Sequence, residues 1–120
     1  MGLDVYAQRG PEQELTEDDE RAFDAADVEL CGGILSGAAG SFRGKVYAGL
    51  VEAITGESLY QEWIPPERVK AMDEALLRCE PREFDDVHDH RFGDVESAVK
   101  NLRKFIGVCV ARGLGLVGCW

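Results

Sequence analysis

Residues 31–56 read CGGILSGAAGSFRGKVYAGLVEAITG, and how this stretch is parsed decides the fold. Its first half is rich in glycine (Gly32, Gly33, Gly37, Gly40), the composition of a loop. In its second half Phe42, Val46, Leu50, Val51 and Ile54 recur at spacings of three and four. That period predicts one amphipathic helix, capped by Ser41 and stopped by Gly56. No Asp or Glu lies between Leu30 and Val51, although the formal net charge is -10. Arg43 and Lys45 stand at the start of the expected helix, so this stretch is locally basic in an acidic chain.

Upstream, Leu3, Val5 and Ala7 alternate with Asp4, Tyr6 and Gln8, a half-buried strand ended by Gly10-Pro11. Thr16 precedes Glu17-Asp18-Asp19-Glu20 and reads as an N-cap with carboxylates in the first turn, which suits the helix dipole. This acidic run is expected to be a solvated helix face, with Leu15, Phe23 and Ala26 inward; its spacing is not that of an EF-hand loop.

Downstream, residues 57–64 (ESLYQEWI) form a connector carrying Tyr60 and Trp63. Pro65-Pro66 opens a further helix, with Val69, Met72, Ala75, Leu76 and Cys79 inward and Pro81 beyond its end. Residues 80–93 are polar and are expected to be an irregular surface loop. Asp94 then caps the longest helix, whose stripe is Val95, Val99, Leu102, Phe105, Ile106, Cys109 and Val110, ending at Arg112-Gly113. The tail, residues 114–120, reads as a short buried strand.

These elements define one α+β domain over residues 1–120: three or four helices packed on a small sheet pairing the N- and C-terminal strands. Strand edges left open in so small a sheet would be covered by a second copy, so a homodimer is expected.

Composition narrows the functional classes. With 13 Lys and Arg against 23 Asp and Glu, the surface repels phosphate backbones, which argues against nucleic acid as a partner. No apolar run reaches the length of about 18 residues that a spanning helix needs, so no membrane is expected. Met1–Tyr6 lacks the basic and apolar blocks of a secretory leader, and Tyr6 breaks the myristoylation pattern after Gly2. Cys31, Cys79, Cys109 and Cys119 form no CxxC pair and read as reduced thiols of a cytoplasmic protein.

Two groups of residues are candidates for chemistry. Ser41, Arg43, Gly44 and Lys45 would form an anion pocket from backbone amides at a helix N-terminus, a forked donor and a point charge. The competing reading gives the glycines a packing role and pairs Arg43 and Lys45 with the acidic helix. Gly40-Ser41-Phe42-Arg43-Gly44-Lys45 is not a P-loop: three residues rather than four separate its glycines, and Val46 replaces the hydroxyl that would hold magnesium. Asp86, His88 and His90 would share one side of an extended chain, giving two imidazoles and a carboxylate for an iron or zinc ion. On a helix that spacing separates the histidines, and a solvated loop is the plainer reading. Ser36 and Ser41 lack a GxSxG context, no cysteine has the setting of an activated thiolate, and no motif names a cofactor. Tyr60 and Trp63 would either flank a cleft or plug the edge of the core.

Taken together and in order, MGLDVY, SFRGKVY and SLYQEWIPPE resemble small bacterial proteins that open Met-Gly-Leu-Asp-x-Tyr. The resemblance spans most of the chain and implies a bacterial cytoplasmic protein. It carries no activity, cofactor or catalytic residue. The leading expectation is a non-enzymatic binding domain for an anionic small molecule or an acidic protein segment. A metal-dependent enzyme centred on Asp86, His88 and His90, or a protein-binding module acting through the acidic helix, are the alternatives.

Overall fold

Alternation at the N-terminus is realised as β1 (Asp4–Gln8), the middle strand of a three-stranded antiparallel sheet. Leu3, Val5 and Ala7 are buried on its inner side, while Asp4, Tyr6 and Gln8 lie half-buried on the other. The computed structural model describes residues 2–32 and 40–120, apart from the side chain of Phe92. Among these, α1 (Glu17–Ala26), β2 (Ser41–Arg43), α2 (Gly44–Thr55), α3 (Pro66–Arg78), α4 (Val95–Arg112) and β3 (Gly115–Cys119) follow in order, with two short 3-10 helices at Pro81–Val87 and His90–Phe92. The expected α+β class and the pairing of the two terminal strands are both found: β1 pairs with β3 from Asp4↔Cys119 to Gln8↔Gly115.

β2 departs from the expectation at residues 31–56. Ser41 is not a helix cap; it lies in a strand opposite Tyr6, and the helix starts three residues later at Gly44 with Arg43 as an N-cap that makes no side-chain cap bond. Phe42 explains the shift. As a strand residue it points inward at 1 % exposure, its ring 4.8 Å from Phe105 and 5.8 Å from Tyr47. Gly44 allows α2 to begin directly on β1, because a Cβ there would stand 2.5 Å from Val5 Cγ2. Of the glycine-rich lead-in, Gly33, Ser36 and Gly37 lie outside the described residues.

The remaining helices follow their apolar stripes. Val46, Tyr47, Leu50 and Val51 of α2, Val69, Met72 and Leu76 of α3, and Val95, Val99, Leu102, Phe105, Ile106 and Cys109 of α4 are all buried. They join the inner side of the sheet in one core with Leu3, Val5, Phe23 and Leu116. Asp94 caps α4 as expected, its Oδ1 accepting from the Ser97 amide at 2.7 Å.

Both sheet edges receive backbone bonds from the chain itself. Arg43 donates its amide to Cys31 O at 2.7 Å beyond β2. On the far side of β3, Ile64 and Leu116 exchange backbone bonds of 2.8 and 2.9 Å, and Gly118 donates to Gln61 O at 2.9 Å. The connector therefore runs as an irregular fourth strand. It fits because a Cβ at Gly118 would lie 2.5 Å from Leu59 O.

The acidic run is corrected at one residue. Glu17, Asp18 and Glu20 are exposed, but Asp19 is fully buried. Its carboxylate closes a capping box with Thr16 and takes a two-pronged bond from Arg9 at 2.7 and 2.8 Å and a third from Arg112 Nε at 2.5 Å. Burial alone would raise its pKa. The Arg9 and Arg112 guanidiniums and the Thr16 donors outweigh it and hold the carboxyl well below the usual range. Asp73 on α3 is the opposite case: half-buried and with no side-chain hydrogen bond among the described residues, its carboxyl is pushed up by burial and by Glu74.

Two stability outcomes follow from these carboxyls. Asp19→Asn leaves two guanidiniums facing a neutral amide and is expected to cost about 3 kcal/mol in urea unfolding at pH 7. Because the folded pKa is depressed, that contribution is present above the unfolded pKa of about 4 and fades as pH falls below it, so the two proteins converge in acid. Asp73→Asn is expected to raise the unfolding midpoint at pH 7. Its folded pKa is raised, so the penalty of the native carboxylate grows as pH rises through that pKa, and the gain disappears at about pH 3.

Candidate functional site

The alternation that buries Val5 and Phe42 sends Asp4, Tyr6, Ser41 and Arg43 to the side of the sheet facing away from the helices. The register sets them in rows: Arg43, Asp4 and Cys119 in one, Ser41, Tyr6 and Val117 in the next, Gln8 and Gly115 in a third. Arg43 and Cys119 are exposed; Asp4, Tyr6, Ser41 and Val117 are half-buried. Gln8 Oε1 is buried without a donor, and the Trp63 ring lies against Gly115. The Tyr6 phenol is pushed above its ordinary pKa by burial, then by Asp4 and the neighbouring Cys119.

Of the four residues expected to hold an anion, the structure leaves two side chains available and reassigns the backbone. The Arg43 amide is spent on Cys31 O, and the Lys45 amide reaches Leu3 O at 3.3 Å. Gly44 is buried against Leu3 and Val5. Those two amides are therefore not free to cradle a ligand. The side chains diverge as well, with Arg43 on the outer face of the sheet and Lys45 exposed on the first turn of α2.

Arg43 and Lys45 do not pair with the acidic helix, the competing expectation. Asp19 is taken by Arg9 and Arg112, while Arg21 reaches Asp18 at 2.9 Å and Glu17 at 3.5 Å. The other arginines are mostly engaged too. Arg68 forks onto Glu57 and bonds Gln61 at 2.8 Å, which draws the Glu57 pKa down. Arg82 meets Glu96 and Arg91 meets Asp89, each at 2.8 Å; Arg91 holds the Asp89 carboxyl down at about 2. Arg103 donates to Leu76 O and Cys79 O at the end of α3. Among the described residues, Arg43 and Arg78 are the arginines whose guanidiniums are left with neither a hydrogen bond nor an ion pair.

The histidine segment is extended only at His88 and Asp89, between the two 3-10 helices. Asp86 is exposed and belongs to the 3-10 helix Pro81–Val87, and the segment packs on α2 and α4 rather than standing free. His88 is buried at 6 % exposure; its Nε2 donates to Gly93 O at 2.9 Å, leaving Nδ1 enclosed without a partner. His90 Nε2 donates to Asp85 O at 3.1 Å, and the two rings meet edge to face with centroids 5.1 Å apart. Both Nε2 atoms thus serve backbone carbonyls, and Asp85 rather than Asp86 is the carboxylate beside them, 3.3 Å from His90. Among the described residues no three His, Cys, Asp or Glu side chains gather in a way that would hold a metal ion.

The thiols are free in all four cases, and Cys109 is raised far above its ordinary pKa by burial. Tyr60 does not line a cleft with Trp63: it is 44 % exposed and meets Trp120 edge to face at 5.7 Å. No helix among the described residues is long and apolar enough to cross a membrane. Comparison of the chain with protein-family models, with curated proteins and with solved structures returned no match.

Proposed function

We propose that this protein is a binding domain that receives an anionic group at Arg43, on the outer face of its sheet, with Lys45 adding positive potential from the start of α2. The observation that carries the reading is an exposed guanidinium with no carboxylate partner in a chain of net charge -10, where most other arginines are already spent. A guanidinium presents a planar fork that matches a carboxylate or phosphate with two parallel bonds. An arginine left unpaired amid excess acid keeps that fork available. The ligand class is a small carboxylate or phosphate bearing molecule, and an acidic protein segment would present the same group. A cytoplasmic setting agrees with four free thiols, since thiols stay reduced there.

The test is calorimetric titration with inorganic phosphate and with a small carboxylate, at low and at physiological salt. Binding is expected to weaken as salt rises, because an exposed charge is screened. Arg43→Ala is expected to lose about tenfold or more in affinity and Lys45→Ala distinctly less, in line with a charge-assisted bond against a longer-range attraction. Equal affinity in Arg43→Ala and the native protein would overturn the assignment.

A further inference from the structure

The inference deepens the Arg43 reading by adding a second pole to the same site. Asp4 is the direct cross-strand partner of Arg43 in the β1–β2 ladder. Side chains so placed share a face, with β-carbons about 5 Å apart, and opposite charges in that relation ordinarily attract and pair. Here they do not. Among the described residues neither the Asp4 carboxylate nor the Arg43 guanidinium makes a hydrogen bond or an ion pair, and an Arg43 terminal nitrogen instead lies over Gly2, 3.9 Å from where a Cβ would stand. A negative and a positive group therefore sit side by side on the outer face of the sheet, each unspent.

The next row supplies a floor. Tyr6 and Val117 are direct partners across β1 and β3, both half-buried, and give an aromatic and an aliphatic surface beside the charged row. The charge of the whole molecule also discriminates between ligands. A net charge of -10 repels a free anion over several ångströms, whereas a neutral zwitterion approaches without that penalty. We infer that the outer face of the sheet binds a zwitterion of the apolar α-amino acid type, its carboxylate on Arg43, its ammonium on Asp4, and its side chain over Tyr6 and Val117.

Calorimetry on the intact protein separates the poles with three probes: L-leucine, 4-methylpentanoate, which lacks the amine, and 3-methylbutylamine, which lacks the carboxylate. Leucine is expected to bind about tenfold more tightly than either analogue, the size expected for one added charge-assisted bond. Asp4→Asn is expected to bring leucine down to the level of 4-methylpentanoate without changing the latter by more than about threefold, and Asp4→Glu to restore part of the advantage. Circular dichroism melts establish that both variants are folded. Equal binding of leucine and 4-methylpentanoate by the native protein, or undiminished leucine binding in folded Asp4→Asn, would overturn the second pole while leaving Arg43 as an anion site. No binding of leucine at all would overturn this inference, whereas the Arg43 assignment stands or falls on its own titrations.

Discussion

One carboxylate draws the chain together. Asp19 is fully buried, and the two guanidiniums that hold it come from residues 10 and 93 positions away, one just past β1 and one in the last turn of α4. Neither arginine is itself deeply buried, at 33 and 31 % exposure, so the three groups form a plug at the rim of the core. The same carboxylate accepts from the Thr16 amide and so fixes where α1 begins. Removing an ion from water is costly, and only a fully bonded arrangement offsets that cost. The plug thus fastens α1 at its start and α4 at its end, next to the end of β1 and the turn that leads into β3.

Much of this architecture was readable from residue types, and the reason for each failure is physical. β1 and β3 each hold five residues, long enough for alternation or burial to show, and the four α-helices carry apolar stripes with recognisable ends at Thr16, Gly56, Pro66, Asp94 and Gly113. β2 is only three residues long. Phe42 stands four positions before Val46, so it fits a helical stripe as well as an inward strand position, and only the partner strand decides between them. Asp19 sits in a run of four acids that look alike in composition. Its place three residues after Thr16, the capping-box position, was the available clue. The histidine group differs for another reason: Asp86 lies in the 3-10 helix Pro81–Val87, while His88 and Asp89 are extended and both histidine Nε2 atoms are spent on backbone carbonyls.

The candidate site was legible in part. The acid-free window around Arg43 and Lys45 could be seen because it depends on composition alone, and the structure leaves both cations exposed and unpaired with carboxylate. The backbone half of the expected pocket could not be judged in advance, since it turns on Cys31 and Leu3 supplying carbonyls to the Arg43 and Lys45 amides. Asp4 was out of reach for a similar reason. It meets Arg43 through pairing between residues that have all of α1 and the segment after it between them, a relation written in register rather than in local pattern.

The connector along β3 has a consequence for how the protein keeps to itself in a crowded solution. A strand whose amides and carbonyls face water is a template on which other chains can grow, and small sheets have few means of refusing them. Here the template is occupied by residues 61–64, and their place depends on Gly118 having nothing but hydrogen to offer Leu59 and Gln61. Any larger residue at that position would lift the connector away and turn a closed ladder into a seed for intermolecular β-structure. The absence of a single methyl group thus does the work of a gatekeeper.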